Sequence, residues 1–180
     1  LGFKTSPVTG LWFNIYGGYQ DLKNNLASAA IANYSGSYLQ LLQGNMHNIY
    51  AGAEASYSYK DIISFTASGI YRDWKTAKTE NNSGDQLLYY MPSFEANFKV
   101  DIRPISSVLI NLGYQHITRE KIGNERVDPV GNLYLGGSYE VFEGISIYVR
   151  ANNLLNKDYQ YYPGYPTEGI NFMGGVSFRF

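Results

Sequence analysis

The sequence predicts an all-β chain, an antiparallel up-and-down transmembrane β-barrel segment of about eight strands. Three observations carry this expectation. Apolar and polar side chains alternate in stretches of about ten residues along most of the 180-residue chain. The connections between those stretches alternate in length, short then long. Finally, 44% of the residues are hydrophobic and 18 are tyrosine, whose ring and hydroxyl suit the boundary between oil and water. No stretch approaches the roughly 18 consecutive apolar residues of a membrane-spanning helix, whereas a barrel strand needs only the alternation.

Successive side chains of a strand point to opposite faces, so a period of two marks one apolar and one polar face. The first apolar set is Leu11, Phe13, Ile15 and Tyr19, and the second is Ile49, Ala51, Ala53, Ala55 and Tyr57. Ile63, Phe65, Ala67 and Tyr71 follow, then Phe94, Ala96, Phe98, Val100 and Ile102. Next come Val108, Ile110, Leu112 and Tyr114, and after them Leu133, Leu135, Tyr139 and Val141. The seventh set is Ile145, Ile147, Val149 and Ala151. The closing strand places Ile170, Phe172, Val176, Phe178 and Phe180 opposite Asn171, Met173, Ser177 and Arg179. Glu54, Glu95, Lys99, Asp101, Glu140, Arg150 and Arg179 all fall in the polar register. Trp12, Leu109 and Ile117 are apolar residues on that polar side.

Tyr59-Lys60-Asp61, Arg103-Pro104-Ile105 and Phe142-Glu143-Gly144 read as tight turns, each with a turn-forming Asp, Pro or Gly. Between them lie long connections: Asp21 to about Asn48, Thr76 to Gln86, Arg119 to Pro129 and Leu154 to Glu168. Within the first, Leu26 to Leu42 reads as loop plus strand extension. Transmembrane barrels carry short turns on the periplasmic side and long loops outside. On this reading both ends of the chain fall at the short-turn end, and residues 1–180 are a single β-barrel region. The opening Leu1-Gly2-Phe3-Lys4 is not a basic, apolar leader, which fits a leader removed or a piece of something longer.

With 14 basic and 15 acidic residues the formal net charge is −1, so no global field recruits nucleic acid, and none is expected as a partner. Zero cysteines exclude a disulfide framework and a thiol nucleophile. His116 and Glu120 have the spacing of two metal ligands on a helix, but here they run off a strand end and read as rim residues. Gly136-Gly137 and Gly174-Gly175 precede no helix N-terminus and so are not phosphate loops. No nucleophile elbow, Walker sequence or metal site stands out, and neither an enzyme nor a cofactor is expected.

Residues 152–180 carry a specific resemblance. Asn153-Leu154-Leu155-Asn156-Lys157-Asp158-Tyr159, then Gly164-Tyr165-Pro166, then Gly169-Ile170-Asn171-Phe172 and a last strand ending at Phe180 are similar to the carboxyl end of TonB-dependent outer-membrane receptors. Those proteins end on N-L-[FL]-[ND]-K-x-Y, a loop with G-Y-P and G-R-x-F, and a strand finishing in Phe or Trp. Ile170 stands where their Arg is usual. Gly175, Phe178 and Phe180 also resemble the signal read by the barrel-assembly machinery, with Met173 where a polar residue is usual.

The resemblance implies the carboxyl-terminal portion of a barrel of roughly 22 strands whose lumen holds an amino-terminal plug. Its partners would be outer-membrane lipid, the assembly machinery, the TonB complex through the missing amino-terminal part, and a small nutrient ligand: siderophore, haem, cobalamin or glycan. The tyrosine-rich loop with Tyr159, Tyr161, Tyr162 and Tyr165 is the expected ligand-facing element. The alternation itself also fits a complete small outer-membrane barrel of about eight strands with a structural or adhesion role. A soluble ligand-binding β-barrel with its apolar face turned inward fits it as well.

Overall fold

The computed structural model describes residues 1–33, 36–76, 88, 91–120, 127–162 and 165–179, excepting the side chains of residues 25–42 and 162. Nine strands, one more than the alternation suggests, form a single antiparallel sheet in chain order. They are β1 (Gly2–Val8), β2 (Leu11–Asn33), β3 (Gly36–Tyr59), β4 (Ile63–Thr76), β5 (Pro92–Ile102), β6 (Val108–Arg119), β7 (Val130–Phe142), β8 (Ile145–Asn152) and β11 (Asn171–Phe178). Between β8 and β11, β9 (Gln160–Tyr162) and β10 (Tyr165–Pro166) make a small separate hairpin. The sheet is open, with β1 and β11 as its edges. Among the described residues no helix is long and apolar enough to cross a membrane.

The strand missed by periodicity is β1, which carries Lys4 and Pro7 and pairs with β2 from Gly2↔Tyr16 to Val8↔Leu11. Its existence corrects the reading that both chain ends lie at the short-turn end. The tight turn at Thr9 and Gly10 occupies that end, and Leu1 lies up the sheet, its carbonyl accepting from Gly17 N at 2.9 Å. Gly10 is required there: its φ is +84, and its carbonyl accepts from Ser58 N at 2.8 Å.

The long connection from Asp21 to about Asn48, read as loop plus strand extension over Leu26 to Leu42, is strand along most of its length. The β2–β3 ladder continues past a bulge at Leu22/Asn25 up to Asn33↔Gly36, giving strands of 23 and 24 residues. Asn24 sits in the bulge at φ 54, a conformation Asn tolerates, and its N–H donates to Asn45 Oδ1 at 2.9 Å.

Register follows the alternation. One row of Cα partners runs Val8–Leu11–Tyr57–Phe65–Val100–Leu112–Leu135–Ala151–Phe172, apolar on every one of the nine strands. That face is the exposed one: Ile49 is 64%, Phe98 52% and Val149 68% accessible. So contiguous an apolar surface has no place in water, and the bilayer is the solvent that satisfies it. The soluble barrel with its apolar face turned inward is thereby excluded.

From Ile63 to Tyr71 the apolar stripe of β4 extends roughly 26 Å along the strand, close to the apolar height of such barrels before tilt. Exposed Ile62, Ile105 and Phe142 extend the band at the short-turn end. Phe142 belongs to it because a bulge after Glu140 re-aims it onto the face of its partner Ile145. Buried Met46 and Trp74, with Leu22, Leu88 and Met91 against them, form a small core at the long-loop end.

Candidate functional site

With the apolar face in lipid, the opposite face bounds the lumen. It is built from a repeated cross-strand device. Tyr16 lies opposite Gly52, Tyr50 opposite Gly18, Tyr134 opposite Gly113 and Tyr148 opposite Gly175. In each pair the ring covers the glycine so closely that a Cβ would collide with it. Tyrosine thus lies along the wall rather than across the lumen, and Tyr16 and Tyr50 meet edge to face at 6.5 Å.

Several charges on this face find partners within the wall. Arg72 pairs with Glu95, Lys99 with Asp101 at 2.8 Å, and Arg179 with Glu140 at 3.6 Å. The Arg150 guanidinium stacks 4.2 Å from the Tyr134 ring centroid, and Lys4 lies 5.0 Å from Trp12. Trp12 therefore covers a cation, which accounts for an apolar residue in the polar register.

At the long-loop end, the segment after β8 folds back over this polar face. Asn153, 2% exposed and at φ 51, is its hub. Its Nδ2 donates to the carbonyls of Lys157 and Glu168, both at 3.0 Å, and its Oδ1 accepts from Lys157 N at 3.1 Å. Its own N–H donates to Asn132 Oδ1 at 2.9 Å. Further along, Arg119 Nη2 donates to the carbonyls of Gln160 (2.8 Å) and Tyr161 (3.1 Å), and Tyr161 Oη to Gln115 Oε1 (2.7 Å). Arg119 and Gln115 were not singled out from the sequence, because partners so distant along the chain leave no local signal.

The tyrosines of this loop are placed unequally. Tyr159 is buried, edge to face with Tyr161 at 5.5 Å, while Tyr161 and Tyr165 are exposed. The backbone of Tyr162 lies in β9, and its side chain, with Gly164 and Phe180, lies outside the described residues. Burial, with the Tyr161 phenol beside it, pushes the Tyr159 hydroxyl up to about 12. At the rim, burial and the neighbouring Asp73 push Glu120 up.

Of the remaining motif residues, Asn156 (φ 47) accepts from Ile170 N at 3.3 Å and lies against Gly169, while Leu155, Lys157, Asp158 and Pro166 are exposed and Leu154 half-buried. Phe172 and Phe178 lie on the lipid face, and Gly175 lies beneath the Tyr148 ring. Among the described residues no group of three His, Asp or Glu could hold a metal ion. His116 instead packs between Phe94 and Tyr114 on the lipid side of the rim.

No protein-family model and no curated protein matches the sequence. Among solved structures, the chain is similar to the copper transporter OprC, at 18% identity and TM-score 0.73, over 99% of this chain and 30% of that one. It is similar to the FrpB iron transporter from Neisseria meningitidis, at 16% identity and TM-score 0.70, over 99% of this chain and 30% of that one. The outer-membrane protein OmpT of Vibrio cholerae matches at 11% identity and TM-score 0.63, over 98% of this chain and 54% of that one. At these identities the likeness is one of fold, and the chain spans 30% of the length of each of the two transporters. The fold is that of a segment of bacterial outer-membrane β-barrel wall.

Proposed function

We propose that this chain is the carboxyl-terminal part of the barrel of an energy-coupled outer-membrane receptor that imports a scarce nutrient. The observation that carries the reading is the parity of the open sheet. In an antiparallel order of nine strands the first and last run in the same direction. Closing the sheet on itself would need a parallel seam, whereas single-chain bacterial barrels close with even strand numbers. Further strands on both edges would satisfy them, which supports a larger barrel over a complete small one. The wall-hugging tyrosines and internally paired charges keep the luminal face free of side chains that would fill a narrow barrel.

In this reading the loop between β8 and β11 faces incoming cargo with Tyr161 and Tyr165, and Tyr159 supports them from below. A plug contributed by the rest of the polypeptide would move under TonB to admit the cargo. Metal ions or their chelates lead the cargo classes, because a copper transporter and an iron transporter are among the similar structures; haem, cobalamin and glycan complete the set.

The test is uptake by the full-length protein in cells stripped of their own receptors, with and without functional TonB. Labelled copper, ferric siderophore, haem, cobalamin and oligosaccharide are offered in turn. Saturable uptake of one cargo that disappears without TonB, and that Tyr161→Ala with Tyr165→Ala weakens, supports the reading. Uptake indifferent to TonB refutes energy coupling.

A further inference from the structure

The luminal face carries a second constellation, at the short-turn end, far from the loop just described. A cavity of about 410 Å³ opens there between the β5–β6 turn and strands β6, β7, β8 and β11, within the size range of ligand sites. Ser138, Ser146 and Ser177 line it from three neighbouring strands, Ser106 and Ser107 from the turn, and Leu109 adds an apolar patch. Leu109 is one of the residues that break the alternation, and the cavity gives it a use.

Backbone ties hold this frame in place. Arg103 N–H donates to Ile62 O at 2.6 Å, Glu140 N–H to Ser107 O at 2.8 Å, and Arg179 N–H to Gly144 O at 2.8 Å. Gly144 N–H in turn donates to Glu140 Oε1 at 3.1 Å. The cavity is thus assembled by the two tight turns and the last strand together.

Among the described residues its charges are two guanidiniums, Arg103 and Arg179, and one carboxylate, Glu140. Arg103 has no carboxylate at ion-pair distance among the described residues. Arg179 reaches Glu140 at only 3.6 Å and its side chain is 82% exposed, so its planar fork is available to a second anion. Among these groups one positive charge is left over. That balance suits a monoanion, since the second charge of a phosphate would face Glu140. Serine hydroxyls supply donors for the remaining lone pairs.

We propose that this cavity binds a carboxylate monoanion carried on an aliphatic stem. The carboxylate belongs either to an Asp or Glu side chain of polypeptide lying in the lumen or to a small free acid. The assignment depends on which face is luminal and not on transport, so loss of TonB dependence would leave it standing.

The test uses the full-length protein in its native membrane, with heat-dependent gel mobility as the control for folding. Arg103→Lys keeps the positive charge and introduces an amine that a carbodiimide joins to any carboxylate lodged beside it, the reagent taking up the water lost. Arg179→Lys repeats the coupling from the other wall, so one misfolded variant does not end the experiment. Coupling to an Asp or Glu other than Glu140, located by mass spectrometry, supports the polypeptide source. Where no such coupling occurs, the fluorine signal of 6,6,6-trifluorohexanoate is followed in the purified protein. Broadening that weakens by about tenfold or more in Arg103→Gln with Arg179→Gln supports the small acid. Coupling confined to Glu140, or absent, together with a fluorine signal that the double substitution leaves unchanged, overturns the proposal.

Discussion

The tyrosine–glycine pairs make a quantitative prediction, best drawn at Gly113 and Tyr134. An alanine in place of a strand glycine ordinarily stabilises by about 0.5–1 kcal/mol, because the backbone loses less freedom on folding. At Gly113 the added methyl would overlap the tip of the Tyr134 ring, and the ring can give way only by swinging off the wall. It would then lose its stack with Arg150, whose guanidinium lies 4.2 Å from the centroid, a contact worth about 0.5–2 kcal/mol. Cross-strand packing adds about 0.2–1 kcal/mol and a displaced rotamer about 0.5–1.5 kcal/mol. Gly113→Ala is therefore expected to destabilise by about 2 kcal/mol net. In a Tyr134→Ala background the obstruction is gone, and the same change should stabilise. Urea unfolding of the full-length protein in lipid vesicles, followed by tryptophan fluorescence and gel mobility, reads both arms. Gly69→Ala is the control: its methyl meets nothing nearer than 3.7 Å, on the lipid face, and should stabilise in either background. If Gly113→Ala has the same sign with and without Tyr134, the ring does not depend on the glycine and the argument fails.

Three other expectations follow from the same geometry. Asn153→Ala removes three buried side-chain hydrogen bonds and puts alanine at φ 51, so the loop should loosen by about 3–5 kcal/mol; Asn153→Gly should recover only the backbone part, and faster proteolysis between residues 153 and 170 reports it. In the Tyr59–Ile62 turn, Asp61 adopts φ 55, and Asp61→Gly should raise the unfolding midpoint by the equivalent of about 0.5 kcal/mol; a lowered midpoint would count against the strain argument. Tyr159 has its hydroxyl pushed from 10.0 up to about 12, so its contribution to stability is complete below pH 10 and is lost as pH rises through 12. The alkaline absorbance difference between the native protein and Tyr159→Phe should show one phenol ionising near 12, and a transition near 10 would contradict its burial.

How much of this could be read from the chain depended on which force placed each residue. The lipid face was legible because membrane solvation imposes one rule on every strand, and Ile15, Phe98 and Val149 obey it independently of their neighbours. Strand β1 was not, since Lys4, Ser6 and Pro7 dilute its pattern and only pairing with β2 makes it a strand. The upper halves of β2 and β3 escaped for a related reason. Above the membrane no lipid demands alternation, so Leu26 to Leu42 reads as loop plus strand extension, and only the strand-extension part matches the paired backbones. Contacts such as Arg119 to the carbonyls of Gln160 and Tyr161 span 41 and 42 residues and have no period at all. Glu140 shows the intermediate case: its polar register was legible, its capping of Gly144 was not.

The stretch from Asn153 to Tyr159 is the part of the chain most recognisable as a pattern, and its geometry explains how it holds the loop after β8 in place. Asn156 N–H closes a turn on the Asn153 carbonyl at 2.8 Å, and Lys157 N–H closes the next step on Asn153 Oδ1. Both asparagines occupy left-handed backbone, which glycine and asparagine tolerate best. Tyr159 then lies buried, and its carbonyl accepts from both the backbone N–H and the hydroxyl of Thr167. Each of these residues is spent on holding the loop against the wall. A side chain already committed to three internal hydrogen bonds is not free to discriminate a ligand, so under the proposed function choice among cargoes falls to exposed residues of the loop. Under the proposed function, exchanging exposed Tyr161 and Tyr165, which flank the turn between β9 and β10, should alter which cargo is held without disturbing the fold beneath.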